Sequence, residues 1–82
     1  MTSGFRNEKV EFEIKERLGS LGKRRGMYLE ANMVSWNGKE PRLDIRPWDA
    51  DHEFMGRGIT LADDEAAALL AILKARFENE NA

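Results

Sequence analysis

No cysteine occurs in the sequence, so neither a disulfide scaffold nor a thiolate metal site is open to it, and the chain suits a reducing cytoplasm, nucleoid-associated or free. There is one histidine, His52. It stands beside Asp49, Asp51 and Glu53, but a lone imidazole in an acidic loop is expected to be solvated, and no metal or cofactor is expected. Long apolar runs are missing as well: none approaches the roughly 18 residues a membrane span needs. The N-terminus also lacks the apolar core of a signal peptide. Charge of one sign is in short supply, with a net charge of -2 from 34% charged residues. That balance excludes a protein held to nucleic acid by bulk charge alone.

An enzyme is not expected. Ser20 and Ser35 have no histidine in a matching context, so nucleophilic catalysis has no support. Asp63, Asp64 and Glu65 are better explained as charge at a helix start than as an acid/base pair. Gly56-Arg57-Gly58 lacks the rest of any phosphate-loop pattern.

What is present is pattern. Local charge is uneven: up to Leu61 there are 11 Lys and Arg against 10 Asp and Glu, and from Ala62 onward 2 against 5. Lys23, Arg24 and Arg25 form a basic cluster. The length suits one domain, residues 9–78, with disordered ends expected at 1–8 and 79–82, and so short a chain buries little surface unless it associates. Val10, Phe12 and Ile14 alternate with Glu11, Glu13 and Lys15, which predicts a first strand of about 8 to 10 residues. "GSLGKRRG" (19–26) reads as a glycine-punctuated loop. Met27 to Trp36 alternates as a second strand. Asn37-Gly38 signals a turn, and Pro41 is excluded from a central ladder position. Arg42 to Trp48 is the third strand, Asp49 to Gly58 a polar loop, and Ile59 to Leu61 a short fourth strand.

The last segment has helical spacing. Ala66, Leu69, Leu70, Leu73 and Phe77 recur at three- and four-residue steps. Acidic residues fill the first turn and Lys74 and Arg76 the last, each complementing the helix dipole. Ile72 widens the apolar stripe beyond one core-facing side, and Ala66 to Ala68 permit close approach of a second helix. A copy of the same chain is the expected partner.

The expected fold is therefore α+β, a curved four-stranded antiparallel sheet followed by one helix (ββββα). Period-2 alternation puts Met27, Leu29, Met33, Leu43 and Ile45 under the helix and Tyr28, Trp36, Arg42, Arg46 and Trp48 on the open face. Two tryptophans and a tyrosine among arginines suit a surface that stacks unpaired bases and neutralises phosphates. The same residues fit two other readings: tryptophans closing the ends of a core, or anchors for a protein partner such as a transcription or repair factor.

"VSWNGKEPRLDIRPW" (34–48) followed by "DHEFMGRGITLADDE" (51–65) resembles the YdbC family, bacterial relatives of the eukaryotic transcriptional positive cofactor 4. The resemblance runs from about Phe12 to Phe77. It implies a ββββα homodimer with helices at the subunit contact, where Leu69, Ile72, Leu73 and Arg76 would meet the partner. It also implies non-catalytic binding of single-stranded DNA across the sheet with little sequence preference. Trp36 and Trp48 match base-stacking aromatics, and Arg46, Lys39 and Arg57 match basic positions of the pattern. Arg42, Tyr28 and Arg25 lie near the expected groove by position only. Glu30, Met33 and Val34 depart from the basic second strand of the relatives, which lowers the expected affinity. Stacking and phosphate contacts do not read the 2′-hydroxyl, so single-stranded RNA stays open beside DNA.

Overall fold

The computed structural model describes residues 11–78. The expected disordered ends, 1–8 and 79–82, lie outside the described residues. Strands β1 (Phe12–Arg24), β2 (Met27–Trp36), β3 (Arg42–Trp48) and β4 (Ile59–Leu61) form one antiparallel sheet in sequence order, and helix α1 (Asp63–Phe77) follows. This is the expected ββββα architecture. No helix of the described residues is long and apolar enough to cross a membrane.

The first strand departs from expectation. Residues 19–24 continue β1 instead of forming a loop, and the turn shrinks to Arg25 and Gly26, at φ 53° and 81°. Two successive positive φ angles make the tight turn that matches strand twist, and glycine takes the second at no steric cost. Along β1, Lys15, Leu18 and Leu21 are bulged out of register against β2, one extra residue each time. A bulge bends its strand and increases the local twist. Repeated at three-residue steps, bulges coil the whole sheet.

Coiling decides where the core lies. Phe12 sits opposite Trp36 at one end of β2 and Trp48 opposite Tyr28 at the other, yet the Phe12 and Trp48 ring centroids are only 5.3 Å apart. The face carrying Phe12, Val34, Trp36 and Trp48 has closed upon itself. The loop after β3 completes the seal: Met55 bridges to Trp48, and Gly56 N–H donates to Pro47 O at 2.9 Å. Gly58 passes so near β3 that a side chain there would overlap Arg46 and the Ile45 carbonyl. Among the described residues Val34, Trp48, Met55, Asn32, Ser35 and Asp44 are buried, and five of them belong to β2 and β3.

The face assignment made from alternation holds, but the burial is the reverse of that expected. Met27, Leu29, Met33, Leu43 and Ile45 share the other face, and all are only half-buried. The helix meets the sheet at β3 and β4, and none of its residues is buried. Leu70, Ile72, Leu73 and Phe77 are 43–71% exposed. Ala62 is the N-cap; it has no side-chain acceptor, so only Glu65 closes the turn, its Oε1 accepting the Ala62 N–H at 2.8 Å.

Candidate nucleic-acid interface

Trp36 ends β2 and is positioned by the turn behind it. Asn37 takes φ 53°, its N–H donates to Glu11 O, and its Oδ1 accepts the Glu11 N–H at 3.0 Å. Lys39 N–H donates to Trp36 O at 3.0 Å, and the Ser35 hydroxyl donates to Lys39 O at 2.7 Å. These bonds tie the turn to Glu11, beside the start of β1, and fold Lys39 back onto the end of β2. Beside this turn lies a cleft of about 320 Å³ lined by Trp36, Lys39, Glu40 and Arg42. Three of the expected binding residues, close in the chain, thus meet around one turn. Lys39 and Arg42 form no ion pair among the described residues.

Arg46 is placed differently from expectation. Its guanidinium binds Asp44 through two bonds, Nε to Oδ2 at 2.7 Å and Nη2 to Oδ1 at 2.9 Å. Asp44 is fully buried and also accepts the Thr60 hydroxyl at 2.7 Å. The guanidinium carbon stands 4.8 Å from the Trp36 ring centroid. Arg46 therefore backs the indole of Trp36 by a cation–π contact, and its hydrogen-bonding edge is committed to Asp44.

Trp48 is a correction. It shares the face of Arg42, Asp44 and Arg46, as alternation requires, but no part of it reaches solvent. Phe12 covers it from β1, and His52 lies against it with ring centroids 5.5 Å apart. A base cannot stack on it in this conformation.

The remaining expected residues lie on the rim. Tyr28 is exposed, with Lys23 Nζ 5.4 Å from its ring centroid, and Arg25 stands at the tip of the β1–β2 hairpin. Arg57 is exposed in the loop before β4. Leu69 is half-buried and Ile72, Leu73 and Arg76 are exposed on α1, with the Arg76 guanidinium over Phe77 at 4.8 Å.

No family model matches the chain. It is 37% identical over 71 residues to an uncharacterized protein of Treponema pallidum (strain Nichols), a match that covers 85% of this chain and 84% of the relative. The two belong to one family. Coverage of that extent spans a length comparable to the whole sheet and helix, so the shared unit is the fold described above.

The residue that sequence reasoning misplaced most is His52. It is not solvated: its Nε2 lies 2.9 and 3.1 Å from the two carboxylate oxygens of Glu30 and 3.4 Å from Arg17 Nη1. Asn32, itself buried, donates to the same carboxylate at 3.1 Å. Asp49 shapes the loop that presents His52, its Oδ1 accepting the N–H groups of Glu53 and Phe54. Those backbone bonds, from Phe54 first, hold the Asp49 carboxyl below the ordinary carboxylate range.

Glu30 also titrates low. Burial by itself would raise its pKa, but hydrogen bonds from His52 and Asn32 and the charges of His52 and Arg17 outweigh burial and leave it below the ordinary 4.5. A folded-state pKa below the unfolded one gives stability that is complete above the unfolded value and is lost as pH falls through the folded one. Glu30→Gln is expected to flatten this acid limb. Urea midpoints measured between about pH 5 and pH 3 should fall less steeply for the variant than for the parent protein. Equal slopes would show that ionisation of Glu30 is not linked to folding.

Proposed function

We propose that the protein binds single-stranded nucleic acid, without catalysis and with little overall sequence preference, as a cytoplasmic homodimer serving transcription, replication or repair. The observation that carries this reading is the cleft in which a partly exposed indole meets two cations, Lys39 and Arg42, that have no acidic partner among the described residues. Trp36 stacks an unpaired base there, and the cations meet the flanking phosphates. Arg46 supports the indole from behind. Trp48 belongs to the core and takes no part. Tyr28, Lys23 to Arg25 and Arg57 extend the basic rim along which a strand continues. The resemblance to the YdbC family supports the same ligand.

The dimer rests on the unpartnered helix. Leu70, Ile72, Leu73 and Phe77 expose an apolar stripe, and the sheet face beside it is half-covered. A second copy burying that stripe removes apolar surface of a kind that soluble monomers rarely leave open. Sedimentation equilibrium at micromolar concentration is expected to give twice the chain mass, and a strict monomer would end this part of the reading.

Tryptophan fluorescence tests the ligand. The chain has two tryptophans, and with Trp48 sealed, quenching by oligothymidine reports on Trp36 alone. Trp36→Ala is expected to weaken binding by about 1 to 3 kcal/mol and to abolish the quenching. Log affinity against log salt should change by about -0.7 per neutralised phosphate, so Lys39→Ala and Arg42→Ala each flatten the slope by roughly that amount. Running RNA and duplex DNA in parallel identifies the strand preferred. Unquenched fluorescence with every nucleic acid would overturn the proposal.

A further inference from the structure

The cleft at Trp36 contains one group that phosphate binding does not use. Glu40 lines it beside Lys39 and Arg42, and its carboxylate forms no hydrogen bond or ion pair among the described residues. A carboxylate in a cleft built only for phosphates opposes the two cations and lowers affinity. The backbone that carries it is restrained. The preceding residue is tied by its N–H to Trp36 O and by its carbonyl to the Ser35 hydroxyl, and Pro41 restricts the backbone of Glu40 itself. One side of the Trp36 indole is taken by the Arg46 guanidinium and Phe12 packs at 5.8 Å, so a flat ligand must enter from the cleft, beside Glu40.

We infer that this cleft is a one-base pocket selective for guanine. The inference rests on the strand-binding reading above and adds a base identity to it at one position. Four bases can stack on an indole, and their edges then decide among them. Guanine alone presents two adjacent donors, N1–H and the N2 amino group, which match the two oxygens of a carboxylate as a forked pair. On its other edge O6 and N7 are acceptors, which match arginine or lysine. Thymine offers a single N–H flanked by two carbonyls that repel a carboxylate. Cytosine and adenine offer an amino group with a ring acceptor beside it. An indole, one carboxylate and two cations together complement guanine best.

The experiment uses fluorescence titration of the whole protein with an oligothymidine of about 12 nucleotides and with the same strand carrying one central guanine. The guanine is expected to tighten binding about tenfold, and Glu40→Gln, at an exposed turn position, to erase that gain while binding oligothymidine at least as well as the parent. Competition by GMP but not AMP shows that the pocket also takes the free nucleotide; failure of GMP to compete, with the oligonucleotide gain intact, assigns it to guanine within a strand. Oligothymidine binding with no gain from guanine overturns the pocket and leaves strand binding standing. GMP binding without oligonucleotide binding overturns strand binding and keeps the pocket, and silence to all of them overturns both. An equal rise in affinity for both strands on Glu40→Gln makes Glu40 a repulsive rim charge and overturns the pocket.

Discussion

Trp48→Ala is expected to lower folding stability by about 3 to 5 kcal/mol, the range for removing a large buried aromatic side chain. Small domains have roughly 5 to 15 kcal/mol in total, so this one change takes a large share of it. The reasons are specific to the site. Trp48 is fully buried, Phe12 and His52 lie against its ring at 5.3 and 5.5 Å, and Met55 bridges to its backbone. Removing the indole leaves a cavity between β1 and the loop after β3, and neither can collapse freely: β1 is held by its ladder to β2 and the loop by Gly56 on Pro47. Trp48→Phe should cost much less. The indole Nε1 is buried without an acceptor, so phenylalanine removes an unsatisfied donor as well as surface. Urea unfolding of the two variants checks the order, with Trp36→Ala as the contrast that weakens binding more than folding. A Trp48→Ala midpoint close to the parent's would place the ring at the surface and restore it as a stacking residue.

Those two tryptophans also show how far the sequence could be read. Alternation along β3 correctly put Trp48 on the face of Arg42, Asp44 and Arg46, because side-chain direction in a strand is a local property. Whether that face is open is not local. It depends on how strongly the sheet coils, and the coiling comes from Lys15, Leu18 and Leu21 in a different strand. Each bulge breaks the period of two: those at Lys15 and Leu18 fall in the expected first strand, and the one at Leu21 falls in the segment that reads as a loop because of Gly19 and Gly22. Strand β3 and the helix carried clean signals: Asn37-Gly38 and Pro41 bracket a turn, and Asp63 to Glu65 open a helix whose apolar residues recur at the right steps; β2 also allows a helix by pattern, and Gly26 before it and Val34-Ser35-Trp36 at its end favour the strand. Their bounds were legible for that reason.

The candidate site divides along the same line. Trp36, Lys39 and Arg42 are close in sequence and meet around one turn, so their association could be read. His52 and Glu30 are 22 residues apart, and nothing in an acidic loop with one histidine announces a partner on β2. Arg46 was assigned to phosphate because arginines beside aromatics commonly serve it. In the folded chain Asp44, two residues back on the same face, takes two of its donors.

That pair is the second place where a single substitution should be costly. Asp44→Ala is expected to destabilise the fold by about 3 to 5 kcal/mol, the cost of removing one member of a buried ion pair and stranding the other. Arg46 would keep its charge beside Trp36 and Met55 with only the Thr60 hydroxyl, at 3.4 Å, as an oxygen acceptor, and Thr60 would lose its own acceptor. Removing both ions is a different matter: Asp44→Leu with Arg46→Met replaces a desolvated pair by apolar side chains, and such exchanges are often neutral. The double variant should therefore unfold at a higher urea concentration than Asp44→Ala alone. It should still alter Trp36 emission, because the guanidinium 4.8 Å from the indole is gone, and with it the support for the stacking platform. If instead the two single substitutions add without coupling, the guanidinium is free of Asp44 in solution, and Arg46 returns to the set of residues available to phosphates.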